Sequence, residues 1–140
     1  MDPRSEANLA HVHEDLAAVM RSAAQEPQGF VVDYGIRTIQ AEEAAVASGH
    51  SQTMHSRHLP DAHYGNVAMA CDCIATGSDP FAVGHEAMVF GQINEQIQAA
   101  AVALGVKVQW GGAPVGAWVD GQVSHFRDFG HWQLDPAEYP

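Results

Sequence analysis

A long apolar stripe within residues 84–105 constrains the fold more than any other feature of the sequence. Its apolar residues recur at spacings of three and four, the period of one helix face: Phe90, Ile93, Ile97, Ala101 and Leu104. Gly105 follows directly, as glycine often does where a helix ends. The pattern therefore predicts a long helix with one apolar face.

Two earlier segments also have helical patterns. Residues 7–26 carry apolar side chains at helical spacing, and this helix is expected to end at Pro27. Residues 38–48 are expected to form another helix, which Gly49 closes.

Short strand-like segments alternate irregularly with these helices. Four such segments are predicted to be strands: 29–35, 67–75, 106–110 and 131–134. Residues 49–66 look like a long loop, and residues 111–122 are rich in turn formers. Because regular βαβ alternation is missing, we predict an α+β fold with a small antiparallel sheet flanked by helices.

Length, composition and charge narrow the class of protein. The chain has 140 residues with 46% hydrophobic content, so we expect a single domain over residues 1–140. Its formal net charge of −11 would repel a phosphate backbone, and nucleic acid is not an expected partner. No segment has the roughly 20 apolar residues that a transmembrane helix needs, and the N-terminus lacks the apolar core of a signal peptide.

The histidines are the candidate metal ligands. The chain has nine histidines, and those near helix ends, namely His11, His13, His50 and His85, are explained by exposure or capping. Three other short motifs combine histidine with aspartate: "SRH" at 56–58, "ACD" at 70–72 and "DFGH" at 128–131. Histidine together with aspartate suits a zinc site that keeps one position open for water.

These motifs stand together with "GIRT" at 35–38, "SGHSQTMHSRHL" at 48–59 and "QWGG" at 109–112. As a set they resemble the zinc-dependent D-Ala-D-Ala carboxypeptidase and L-alanyl-D-glutamate endopeptidase family (VanY-like), which includes many phage endolysins. The resemblance covers nearly the whole chain and implies a D,D-peptidase or Hedgehog-like fold.

The resemblance also implies the roles of individual residues. By this likeness His58, Asp72 and His131 are the Zn²⁺ ligands, and Asp128 is the catalytic base. Arg37 matches the family's arginine, which contacts the substrate or its developing oxyanion.

The chemistry of the residues agrees with that assignment. Three protein ligands leave zinc a fourth position, at which the pKa of a bound water can fall to about 7. Asp128 would receive the proton of this water. Residues three apart in an extended strand face opposite sides, so Asp128 and His131 converge only if the chain bends, and Gly130 is expected to permit the bend.

The first ligand loop departs from the family pattern. The segment between His58 and Asp72 is longer than usual, and Ala68 stands where the family has glycine. Extra loop length costs only roughly 0.6 kcal/mol per doubling, so the ligands can still meet if the loop bulges outward. His63 lies nearer to Asp72 in sequence and remains an alternative ligand to His58.

Cys71 and Cys73 flank Asp72 and are not expected to bind metal or to form a disulfide. In a strand both side chains point away from the face that carries Asp72, so they are expected to pack as small hydrophobic residues. Trp132 follows His131 directly and should likewise face away from the metal.

The expected function is hydrolysis of peptide bonds in the peptidoglycan stem peptide, as an L-alanyl-D-glutamate endopeptidase of phage or prophage origin. The alternatives are a D,D-carboxypeptidase or D,D-dipeptidase, and a non-catalytic domain that binds zinc or wall peptide. We expect a monomer that stays in the cytoplasm until it is released to the cell wall, with a holin-type protein as the partner that opens the membrane.

Overall fold

The structure, a computed structural model, combines helices with a four-stranded antiparallel sheet, which confirms the predicted α+β class. It describes residues 1–25, 29–49, 56–76, 86–112, 118–119, 122–123 and 128–140. Pro27, at which the first helix is predicted to end, and the histidines His50 and His85 therefore lie outside the described residues.

The main sheet is built from four strands that are distant in sequence. They are β1 (Phe30–Tyr34), β2 (Ala70–Ala75), β3 (Val108–Trp110) and β6 (His131–Leu134). The order across the sheet is β1-β2-β6-β3, and all neighbouring pairs are antiparallel. Each of the four predicted strand segments contains one of these strands. A small antiparallel pair, β4 (Trp118–Val119) and β5 (Gln122–Val123), begins within the segment predicted to be turn-rich and ends one residue after it.

Four α-helices accompany the sheet in the described part of the chain: α1 (Pro3–Leu9), α2 (Glu14–Ala23), α3 (Ile39–Ala47) and α4 (Glu86–Leu104). α1 packs on β1, whereas α2 packs on α4. The stripe of α4 is buried as predicted at Phe90, Ile93, Ile97 and Ala101. Leu104 is the exception, because it lies at the last turn and is 49% exposed.

The prediction of one continuous helix over residues 7–26 is wrong, because the chain breaks between α1 and α2. At the break, Ala68 donates its backbone N–H to the His11 carbonyl over 2.8 Å, and its own carbonyl accepts from His13 over 2.9 Å. The His13 side chain then caps α2 by accepting from the backbone N–H of Asp15. These bonds replace helical ones, and the apolar residues on both sides of the break still enter the core.

The core lies between the sheet and the α2–α4 layer. Trp132 is fully buried there, and its Nε1–H donates to the Asn94 side chain over 3.0 Å. Cys71 and Cys73 are free thiols buried in the same core, as the sequence predicts. Among the described helices, none is long and apolar enough to span a membrane.

Candidate active site

Three side chains converge on the polar face of the sheet. The Nδ1 atom of His131 lies 3.0 Å from Oδ1 of Asp72, and Nε2 of His58 lies 3.2 Å from the same oxygen. The two imidazole nitrogens are themselves 3.2 Å apart. Both histidines are almost fully buried, while Asp72 is partly exposed. We call these three residues the His–Asp–His cluster.

Backbone pairing brings the cluster together. Asp72 on β2 and His131 on β6 are direct cross-strand partners, so their side chains leave the sheet on the same face. His58 comes from the loop before β2, and its carbonyl accepts from the backbone N–H of Arg37 over 2.7 Å. One residue earlier, the Arg57 carbonyl accepts from the backbone N–H of Met69, which holds this loop beside the start of β2.

Hydrogen bonds on the far side of each ring define which nitrogen carries the proton. Nδ1 of His58 lies 2.7 Å from the Gly35 carbonyl oxygen, which can only accept, so His58 donates from Nδ1. Nε2 of His131 lies 2.8 Å from Oε1 of Gln133, so His131 donates from Nε2. In both rings the nitrogen that faces Asp72 is then the one with the free lone pair.

The cluster therefore presents three electron-pair donors to one point. Ligand atoms about 2.0–2.2 Å from a tetrahedral zinc ion are separated by roughly 3.3–3.6 Å, which is within a few tenths of an ångström of the distances here. Three acceptor atoms this close repel one another unless a proton or a cation lies between them. Two neutral imidazoles and one carboxylate thus fit a metal site with room for a further ligand. Among the described residues, no other group of three His, Cys, Asp or Glu side chains is close enough to hold an ion.

The electrostatics of Asp72 agree with a site for a cation. Burial raises the pKa of this carboxyl, but His131 and His58 lower it by more, through hydrogen bonds and charge, when a ring nitrogen that faces Asp72 carries a proton in the absence of a cation. The net result is a pKa well below the usual range of aspartate, so Asp72 is a carboxylate at neutral pH.

Asp128 is exposed and lies on the bend that leads into His131. Its carbonyl accepts from the backbone N–H of His131 over 3.3 Å, which closes the predicted bend between the two residues. Desolvation raises the pKa of the Asp128 carboxyl, the nearby Asp72 raises it further, and His131 and His58 act in the opposite direction. The carboxyl therefore lies within electrostatic range of all three members of the cluster.

Two glycines let the chain pack closely around this bend. Gly130 lies in the predicted bend, but its φ is not positive. It is instead needed for close approach, because a β carbon there would lie 2.8 Å from the Cys73 carbonyl oxygen. Gly111, from the "QWGG" motif, donates its backbone N–H to the His131 carbonyl and accepts from the backbone N–H of Asp128, both over 2.8 Å.

Arg37 contacts the side chain of Tyr34, which in turn packs against the cluster. Its guanidinium carbon lies 5.0 Å from the centre of the Tyr34 ring, and its Nε–H donates to the Tyr34 hydroxyl over 3.2 Å. The same ring packs edge-on against His58, with ring centres 5.4 Å apart. Arg37 is partly exposed, so its guanidinium can still reach a bound molecule.

The lengthened loop between His58 and Asp72 turns outward, as expected. Residues Ala62–Tyr64 form a short 3-10 turn in it, and Asp61 pairs with Val67 across its base. His63 lies on this turn, is exposed and packs against Tyr64. The structure thus brings His58, and not His63, to Asp72 and His131.

Sequence reasoning missed two side chains that contact the cluster, Tyr34 and Gln133. Gln133 could have been found from the sequence, because residues two apart in a strand share a face and Gln133 follows His131 at that spacing. Tyr34 gives no comparable signal. Its place opposite Asp72 depends on the pairing register of β1 with β2, which is irregular between Val32 and Tyr34.

Comparison with known proteins gives two findings. A family model described as phage L-alanyl-D-glutamate peptidase matches residues 1–134. The crystal structure of the L-Ala D-Glu endopeptidase ChiX of Serratia marcescens is similar to this chain, with 32% identity and a TM-score of 0.78. The match covers 100% of this chain and 92% of that one. No relative was found among curated protein sequences.

Proposed function

The chain belongs to the phage L-alanyl-D-glutamate peptidase family, and we propose that it is a zinc-dependent endopeptidase of the peptidoglycan stem peptide. The bond that we propose it cleaves joins L-alanine to D-glutamate. The observation that carries the proposal is the His–Asp–His cluster, in which three electron-pair donors of this hydrolase fold lie 3.0–3.2 Å apart.

His58, Asp72 and His131 would hold the zinc ion through Nε2, Oδ1 and Nδ1. When bound, zinc acts as a Lewis acid that polarises the scissile carbonyl and makes water a better nucleophile. The hydrogen bonds from His58 to Gly35 and from His131 to Gln133 keep the two rings oriented toward this point.

Asp128 is proposed as the general base and acid. Its carboxylate takes a proton from the attacking water, whose oxygen bonds to the scissile carbonyl carbon. As the C–N bond breaks, Asp128 gives the proton to the departing amine. A pKa raised by desolvation suits this double role, because a carboxyl that is too acidic holds a proton poorly.

Arg37 is proposed to bind the oxyanion that develops on the scissile carbonyl or a carboxylate of the substrate. A guanidinium stays charged at any working pH and presents several donors in one plane. Its stacking on Tyr34 restricts its orientation before substrate arrives, which is the arrangement that favours transition-state stabilisation.

Product analysis tests the proposed bond specificity. Purified peptidoglycan is digested with the zinc-loaded protein, and the released fragments are identified by mass spectrometry. Cleavage between L-alanine and D-glutamate leaves L-alanine on the glycan and releases peptides with a new D-glutamate amino terminus. Release of D-alanine would instead indicate a D,D-carboxypeptidase, and binding of stem peptide without any fragment would indicate a non-catalytic domain.

A further inference from the structure

Gln133 is a fully buried polar side chain whose amide oxygen contacts the His–Asp–His cluster. It lies in the middle of the sheet on β6, with Ala70 of β2 and Gln109 of β3 as its cross-strand partners. Burying an amide without hydrogen bonds is costly, so a glutamine at this position needs partners at both ends. Its oxygen accepts from His131, and its nitrogen donates to Oε1 of Gln109 over 3.3 Å.

The orientation of this amide decides which nitrogen of His131 can face the cluster. With the oxygen toward His131, the ring donates from Nε2 and its Nδ1 keeps a lone pair toward Asp72. With the amide reversed, its NH₂ group would need an acceptor at Nε2, and the proton of His131 would move to Nδ1. That tautomer would place a proton where the proposed metal binds.

Gln109 supports the first orientation from the other end of the amide. In the structure its Oε1 accepts from the NH₂ group of Gln133 while the Gln133 oxygen faces His131, so the two contacts are satisfied together in this arrangement. The two glutamines and the histidine thus form a hydrogen-bonded chain that runs across β3 and β6 and ends at the cluster.

We propose that Gln133, oriented by Gln109, is a positioning residue that holds His131 in its metal-binding tautomer. This inference rests on the proposed zinc site, and it adds a residue that touches neither substrate nor metal. Partners of metal-ligating histidines typically change metal affinity by about 10- to 100-fold when they are removed.

The test compares the zinc affinity of three purified variants with that of the parent, measured by competition with a chromophoric chelator. Gln133→Met keeps the length of the side chain without an acceptor, and we expect it to lower affinity by about 10- to 100-fold. Gln133→Glu restores an acceptor and should return affinity to within roughly threefold of the parent. Gln98→Met is the control, because the Gln98 amide binds Asn94 and Val108 and does not touch the cluster.

A second measurement reads the tautomer of His131 directly. Long-range ¹H–¹⁵N NMR of the metal-free parent should show His131 protonated at Nε2, and Gln133→Met should weaken or abolish that preference. Gln109→Met serves if Gln133→Met does not fold, because Gln109 is only partly buried. We expect it to cause a smaller loss of affinity in the same direction.

The outcomes separate this inference from the proposed function. Zinc binding by the parent with unchanged affinity in both Gln133→Met and Gln109→Met would overturn the role of Gln133. A metal-free parent in which His131 is protonated at Nδ1 and not at Nε2 would overturn it as well. Failure of the parent to bind zinc would instead contradict the proposed function, and the tautomer measurement would still test Gln133.

Discussion

Gly111 lies so close to Asp128 that a β carbon at position 111 would be 2.6 Å from the Asp128 carbonyl oxygen and 3.3 Å from its Cβ. The same atom would be 3.1 Å from the β carbon of His131. The glycine of the "QWGG" motif is therefore what lets β3 continue past the bend that joins the proposed base to a proposed metal ligand.

Gly111→Ala should displace this bend and lower both stability and activity. Overpacking of a tight site costs about 1–3 kcal/mol, and a misplacement of about 1 Å near the reacting groups can reduce kcat/KM by about 100-fold. The measurements are thermal unfolding and hydrolysis of a stem peptide. Gly91→Ala is the matched control, because nothing lies within 4 Å of its added β carbon and it is inside α4. It should stabilise the protein by up to about 1 kcal/mol.

Much of the fold could be predicted from periodicity alone. The stripe of α4 has the period of a helix, the segment of β3 alternates as a strand does, and β1 is a β-branched and aromatic run between glycines, so local sequence is sufficient to identify them. The break between α1 and α2 could not be predicted in this way. It depends on the pairing of residues 11–13 with Ala68, a contact between segments far apart in sequence.

The candidate site, like the fold, could be predicted from the sequence only in part. The family resemblance identifies Asp72 and His131 as candidate ligands, and the structure brings them together as direct cross-strand partners. The choice between His58 and His63 could not be made from spacing, because both lie in a loop without a period. The backbone pairing of His58 with Arg37, together with that of Arg57 with Met69, places it beside Asp72.

The two histidines of this loop should behave differently when replaced. His58→Ala removes one of three ligands and should reduce bound zinc to well below one equivalent. His63→Ala should keep full zinc content and activity, because His63 is exposed on the outward turn. Elemental analysis of both variants after dialysis gives the answer. Zinc loss in His63→Ala with retention in His58→Ala would mean that the cluster is not the metal site.

Arg37→Ala should impair turnover without affecting metal binding. Loss of a donor to a developing oxyanion typically costs about 10²- to 10³-fold in kcat, and a guanidinium does not bind a cation. Arg21→Ala is the matched control, because Arg21 forms an exposed ion pair with Glu6. A kcat/KM within a few-fold of the parent in Arg37→Ala would exclude Arg37 from the site.

Asp128→Asn separates catalysis from binding. The amide keeps the shape of the side chain and removes its basicity, so zinc and stem-peptide affinity should be retained. Hydrolysis should fall by at least about 100-fold, which lies within the range typical of general acid–base catalysis. An Asn variant that cleaves at nearly the parental rate would mean that another group acts as the base.

The dependence of activity on zinc tests the central claim most directly. The parent protein is stripped of metal with a chelator, and zinc is added back in known amounts while release of stem-peptide fragments is measured. We predict no detectable hydrolysis without metal, a linear rise with added zinc and a plateau at about one equivalent per chain, set by the cluster of His58, Asp72 and His131. Full hydrolysis by the metal-free protein would contradict the account.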